Sequence, residues 1–428
     1  MHMKKPIKIL SFISALLMAV GLIACSQDEI CVPDNGHQAQ ALNPFSRSID
    51  EAIDIAESSM AMMYPQTGSR ATARKVSKEN VVVIKASSSR SGDEDKLIYA
   101  VNFDDNQGYV LVAAPRSKDD VLAVVPKGTF DEADAESTPG VDMFLSAAKR
   151  YITLPDSLEA RPIIGWWLRP ARKDTLLYFH QDPQVSIEWG QRGYQGRLFT
   201  NGYCGCGPLA IATIATFQGF QKGDNRTISY TYANRDINSQ FVDWAEVYRH
   251  KRVDGWVNGE FKPTVCYAEN KEESHMTISR LCRQIGEDGH AVPISGGTIM
   301  YEPYFKSTLK KYVPAIMTVT DPIDFDSFQI SPFLDNGILF VYGLTDKDIG
   351  HVWVADGYDI LKVYEVYVKE FENGELGFAD RTIHRVLTSM RWGWGGDHDG
   401  YYNGSVFAPR SPDEKFERVK YIASYIKK

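Results

Sequence analysis

Two cysteines, Cys204 and Cys206, flank one glycine in NGYCGCGPLAIATIATFQGF, residues 201–220, directly ahead of an uncharged run rich in Ala, Ile and Thr. The run from Leu209 to Phe217 predicts a buried helix ending near Gly219, with Pro208 in the first turn, where a missing N–H leaves no hydrogen bond unmade. Cys206 then stands at or beside the N-cap. The unpaired N–H groups and partial positive charge of a helix N-terminus stabilise a thiolate and lower a thiol pKa. A thiolate is the reactive form, so Cys206 is the candidate nucleophile. Cys204 lies farther from the helix and lacks that advantage. Three other readings of the pair stand beside this one: half of a metal site, a strained redox pair, or a structural buried cysteine. The metal reading has no second Cys/His cluster with ligand-like spacing to complete it.

A cysteine nucleophile needs a histidine from elsewhere in the chain. Of nine histidines, His351 stands out, in DIGHVWVADGYD (348–359). It follows Gly350 and heads an alternating strand, a position from which a side chain can face a cleft; a purely structural strand histidine is the alternative. About forty residues on comes SMRWGWGGDHDGYY (389–402). Trp392 to Gly396 holds two Trp and three Gly, costly residues for filler. Glycine lets the backbone pass close to a ring or ligand, and Trp392 and Trp394 could cover a Cys–His pair and exclude water. A packed aromatic turn is the other reading.

These segments together resemble a known family. Gly205-Cys206 with the helix carrying Ala210 and Ala212, then GHVWVADGYD, then WGWGGDHDGYY, look like the streptopain-type cysteine peptidases, papain-like enzymes of bacteria. Trp189-Gly190-Gln191 resembles the opening of their catalytic half, NGILFVYGL (336–344) the strand leading to the histidine, and ISGGTIM (294–300), loosely, a substrate-side loop. Upstream, FDDNQGYVLVAAPRSKDDVLAVVPKGTFD looks like the family's inhibitory propeptide. The resemblance covers most of residues 49–428 and implies a zymogen. It implies that Cys206 attacks the scissile carbonyl, that His351 holds the thiolate as an ion pair and protonates the leaving amine, and that Gln191 with the Cys206 N–H receives the oxyanion. It implies a pro-unit acting as intramolecular inhibitor, protein or peptide substrates, and no metal or organic cofactor. One departure stands out. The family usually has Asn immediately before WGWGG, whose side-chain oxygen orients the imidazole; here that position is Arg391, a guanidinium with donors only. Arg391 is also expected to disfavour an imidazolium by like charge, and losing an orienting group in a related triad costs several orders of magnitude in rate. A second departure follows Cys206, where Gly207 and Pro208 replace the common apolar residue and Ala.

The elements that must hold these residues divide the chain in two. Upstream, residues 49–64 have helical spacing, 80–84, 97–101 and 121–128 read as strands, and Asp105 to Gly108 marks a turn. PGVDMFLSAAKRYI (139–152) reads as a helix begun by Pro139 and Gly140. This small α+β pro-unit, 49–180, shows no catalytic constellation. The charged stretch Arg169 to Asp174 lies near the boundary and within the expected activation zone, Arg169 to Gln191. Residues 181–428 carry the cysteine helix, a helix around 275–285 and then mainly strands. The expected class is α+β: a helical lobe holding Cys206 against a twisted, largely antiparallel sheet holding His351, with the cleft between them.

The remaining bounds come from the whole chain. Its 428 residues, 43% hydrophobic and 24% charged, are ordinary globular composition, and a net charge of −8 without a long basic tract gives no reason to expect nucleic-acid binding. Lys4, Lys5 and Lys8 precede an apolar run, residues 9–24, that reads as an export signal and is short for a spanning helix. Leu22-Ile23-Ala24-Cys25 resembles a bacterial lipobox, which implies a lipidated Cys25, a polar tether over 25–48 and membrane attachment only through that lipid; a plain secreted chain is the alternative. The acidic Ser26 to Glu29 resembles tethers of surface lipoproteins. Without Cys25 five cysteines remain, an odd number at irregular spacing that does not read as a disulfide framework. Three functions fit these residues: an active papain-like peptidase, a degenerate relative that binds peptides, and a structural or adhesive surface lipoprotein.

Overall fold

The computed structural model describes residues 46–65, 74–86, 96–153, 172–223, 226–232, 235–249, 255–257, 260–262, 271–344, 350–370, 376–407 and 418–427. The export signal, Cys25, Cys31, Cys266, Arg169 and tether residues 25–45 lie outside them. Among the described residues, no helix is long and apolar enough to cross a membrane.

The helices are α1 (Ile49–Met63), α2 (Glu132–Ser137), α3 (Val141–Thr153), α4 (Cys206–Lys222), α5 (Trp244–Arg249), α6 (Lys271–Asp288), α7 (Phe305–Tyr312) and α8 (Ser331–Leu334). The upstream strands are β1 (Val81–Lys85), β2 (Lys96–Asn102), β3 (Tyr109–Ala113) and β4 (Val121–Val125), followed by β5 (Arg172–Gln181). Three short hairpins come next: β6 (Arg226–Tyr232) with β7 (Arg235–Val242), β8 (Gly255–Val257) with β9 (Glu260–Lys262), and β10 (Val292–Ile294) with β11 (Gly297–Ile299). The last strands are β12 (Thr318–Val319), β13 (Ile323–Asp324), β14 (Gly337–Leu344), β15 (His351–Glu370), β16 (Leu376–Arg391), β17 (Gly400–Asn403) and β18 (Arg418–Tyr425).

The upstream unit is built as its sequence pattern requires. Ser48 caps α1 reciprocally, its hydroxyl accepting from the Glu51 amide while the Glu51 carboxylate accepts from the Ser48 amide. Ala52, Ala56, Met60 and Met63 lay one apolar face of α1 on β2, β3 and β4. From the opposite side α3 brings Phe144, Ala148 and Tyr151 onto the same strands. Covered on both faces, β3 and β4 are buried at every position, which is why they read as unbroken apolar runs.

Downstream, α4 is buried from Gly207 to Gly219, as an uncharged helix must be. It packs with α5, α6 and α7 and against β14, β15 and β18 through one shared apolar core. The helix runs three residues past the expected Gly219, because Gly223 in the left-handed region, rather than Gly219, closes it.

Two features were not anticipated. The boundary segment is not a charged connector: Arg172–Gln181 forms β5, antiparallel to β15 from Tyr358 to Val366. Nor do the two units carry separate sheets. β4 pairs with β17 at Tyr401↔Val124 and Tyr402↔Ala123, so one twelve-stranded antiparallel sheet runs β1-β2-β3-β4-β17-β16-β15-β14-β18-β12, with β5 and β13 beside it. Residues 42–428 are correspondingly a single compact unit. The class is α+β, with a helical lobe on a large antiparallel sheet.

Candidate active site

Cys206 is the first residue of α4, and the turn that delivers it depends on Gly205. That residue sits at φ 83°, and a Cβ there would stand 2.3 Å from the carbonyl oxygen of Thr298. Any side chain at residue 205 would push the β10–β11 hairpin away from the cysteine turn. Asn201 holds the same hairpin through Ile294 O (3.1 Å), and Thr298 Oγ1 donates to Tyr203 O at 2.6 Å. The turn is also fixed to Gln191, whose carbonyl accepts from the Cys204 amide at 3.0 Å. Gln191 itself is buried.

The backbone N–H groups at the start of α4, on Cys206 and Gly207, and that of Val352 lie near the Cys206 thiol and act on its charge. Val352 follows His351, so the start of α4 meets the start of β15 there. The three N–H groups favour the thiolate, as the helix-start argument requires, but burial outweighs them and pushes the thiol up. The expected lowering is therefore not realised in this state. Cys204 is fully buried; its thiol is raised far more, by burial and by neighbouring Cys282. Among the described residues Cys204, Cys206 and Cys282 are all free thiols.

The His351 imidazole is buried and nearly parallel to the rings of Trp394 (centroids 5.8 Å) and Trp353 (6.3 Å). Its Nε2 lies 2.8 Å from the carbonyl oxygen of Trp392. A carbonyl only accepts, so Nε2 carries the hydrogen, and in the neutral ring Nδ1 keeps a free lone pair. Burial drives the imidazole down to about 4, against this hydrogen bond.

Arg391 does not act on the imidazole as anticipated. Its Nε donates to Asp356 Oδ2 at 2.7 Å, and its NH1 lies 3.5 Å from Asp399 Oδ2. Two carboxylates take up the guanidinium charge. The missing side-chain acceptor is replaced by the Trp392 backbone carbonyl. Trp392 is fully buried beside Trp353 and Tyr402. The glycine-rich loop closes over the start of α4: Gly393 approaches Leu209, and the Gly395 amide donates to Trp189 O at 3.2 Å.

The upstream unit reaches this site directly. Gly140 lies against His351 and Trp392; a Cβ there would stand 2.5 Å from His351 Cδ2 and 2.7 Å from Trp392 Cε3. The Trp394 indole N–H donates to Pro139 O at 3.2 Å. Around this contact, Lys127 pairs with Glu188 at 2.9 Å, and His398 meets the Tyr109 hydroxyl at 2.8 Å and Asp134 at 3.2 Å. A second cluster ties Asp119 and Asp120 to Arg385, and Asp120 also to Lys173.

Of the residues singled out in the sequence, Cys206, His351, Gln191, Arg391, Trp392 and Trp394 thus gather around the junction of α4, β15 and the Trp loop. Sequence reasoning passed over Gly140, Trp353, Asp356, His398 and Asp399. Trp353 follows His351 by two on an alternating strand, which was a usable signal; Asp356 is recognisable only through the pairing of β15 with β16, and Asp399 only through that of β16 with β17.

Comparison with known proteins supplies an independent line. Residues 188–402 match the model of the Peptidase C10 family, and residues 43–152 match that of the Spi protease inhibitor. No curated protein matches the chain. Among solved structures, a prointerpain A fragment from Prevotella intermedia is similar at 17% identity and a TM-score of 0.49, over 81% of this chain and 99% of that one.

Proposed function

The chain belongs to the Peptidase C10 family, and from that premise we propose that it is a cysteine endopeptidase made as a zymogen, with Cys206 and His351 as its catalytic pair. The observation that carries this reading is the packing of Cys206, first residue of α4, on the core that holds Val352, which sets a helix-start thiol beside the strand headed by His351. Nδ1 of His351 takes the thiol proton and Cys206 Sγ attacks the scissile carbonyl carbon. The oxyanion is received by the Cys206 N–H and by Gln191. Collapse breaks the C–N bond, His351 returns the proton to the leaving amine, and a thioester remains. Water, giving its proton to the imidazole, then attacks the thioester, releasing the acid and restoring the thiol.

The contact of Pro139 and Gly140 with His351, Trp392 and Trp394 supports latency of the intact chain. Beneath it, burial favours thiol and imidazole both in neutral form, whereas attack needs the charge-separated pair. The match of residues 43–152 to a protease-inhibitor model agrees with this role for the upstream unit. The Trp392 carbonyl supports activity despite Arg391.

The test uses the full chain and an epoxide thiol-protease inhibitor. The wild-type chain should shorten itself and carry one adduct on Cys206 by mass spectrometry; Cys206→Ala should do neither. A wild-type chain that binds peptides yet stays whole and unlabelled would instead be a degenerate relative. We further propose export and lipid attachment at Cys25, supported by the basic residues Lys4, Lys5 and Lys8, the apolar run and the lipobox-like ending. Cys25→Ser should then move the chain from the membrane fraction to the soluble one; an unchanged distribution refutes the anchor.

A further inference from the structure

The backbone of Trp392 is held on both sides of its Cα. Its carbonyl accepts from His351 Nε2 at 2.8 Å, and its N–H donates to Asp399 Oδ1 at 2.9 Å. Asp399 lies on the far side of the glycine-rich loop, so this second bond closes the loop from Trp392 back to its own end. The other oxygen of Asp399 faces Arg391 NH1 at 3.5 Å. Arg391 is in turn anchored by Asp356, which is fully buried and also accepts from the Val185 amide (2.8 Å) and the Ser389 hydroxyl (2.7 Å). Asp356 belongs to β15, the strand that begins with His351. A chain of hydrogen bonds and ion pairs therefore leaves the histidine strand, crosses to β16 and returns to the imidazole through the backbone of one residue, Trp392.

We propose that Asp399, set by Arg391, is a positioning residue for His351 that acts through the backbone of Trp392, holding its N–H so that the carbonyl on the other side of the same Cα stays aimed at the imidazole. The inference rests on the peptidase reading above. It gives Arg391 a role: the guanidinium replaces no acceptor, but holds the carboxylate that holds the acceptor. A carbonyl aimed at Nε2 keeps the hydrogen on that nitrogen and leaves Nδ1 as base. The same carbonyl stabilises the imidazolium formed when the thiol gives up its proton. The charged and titratable groups facing Asp399 are Arg391, Asp356, Glu188, Tyr109 and Tyr402.

The experiment follows the pH dependence of self-processing in the full chain, with melting temperature as a control. Loss of an outer partner of a catalytic imidazole should slow conversion of Asp399→Ala by about 10–100-fold, and move the acid-side inflection of the rate upward by roughly one pH unit. Asp399→Asn keeps an oxygen for the Trp392 amide and should return the rate to within about threefold of wild type. Wild-type processing in Asp399→Ala overturns the inference. So does equal slowing of Ala and Asn variants in step with a lower melting temperature, the pattern of a purely structural residue. A wild-type chain that neither processes nor takes the epoxide removes the peptidase reading and this inference with it; an indifferent Asp399→Ala beside an active wild type removes the inference alone.

Discussion

His351 carries the sharpest electrostatic signature in the site. Its imidazole titrates at about 4 when folded, against about 6.5 for a free histidine. The folded state therefore resists a proton that the unfolded chain accepts, so stability is retained above 6.5 and lost as pH falls toward 4. Between pH 7 and pH 5 this residue should cost about 2 kcal/mol of folding stability. The Cys206→Ala chain, which is not expected to process itself, isolates the effect. Its melting temperature should fall more over that window than that of Cys206→Ala with His351→Gln, and equal falls would contradict the burial of the imidazole. Asp399 has the opposite sign: burial raises its carboxyl to about 7, so its contribution is present at low pH and lost as pH rises through 7. Of this chemistry, Cys206, His351 and the two Trp could be read from the residue types and their local pattern. The state of Arg391 could not. A guanidinium beside the Trp loop looks disruptive until Asp356 and Asp399 are known to face it, and the pairing of β16 with β15 on one side and with β17 on the other brings them there.

At the scale of elements, the contact proposed to keep the chain latent is a single turn. Thr138, Pro139 and Gly140 lead into α3, and Gly140 takes φ 88° against His351 and Trp392. A methyl group has no room there, and the left-handed backbone disfavours any side chain. Gly140→Ala should loosen the turn from the imidazole and speed conversion of the full chain severalfold, followed by gel band shift. Slower or unchanged conversion would mean that this turn does not restrain the histidine. Local pattern identified α1, α3 and α4 well, from the helical spacing over 49–64, the Pro139-Gly140 start and the uncharged run after Pro208. β5 escaped notice because it opens on Arg172, Lys173 and Asp174, the end of a charged stretch near the expected domain boundary. Lys173 is matched to the buried Asp120, a partner supplied by the bend that leads into β4.

Across the whole molecule, the joining of two units into one sheet lay beyond sequence reading. β4 and β17 each look like ordinary apolar strands, and nothing local in Ala123 or Val124 names Tyr401 and Tyr402 as neighbours. The pairing brings the inhibitor-like unit to the strand that directly follows the Trp loop. Its consequence appears under the proposed maturation, in which that unit is removed. β17 is then left with a bare margin of unsatisfied amides and carbonyls, a ready seat for any extended segment. A liberated propeptide should find its old berth there, which makes inhibition by a separately supplied copy a direct extension of the architecture.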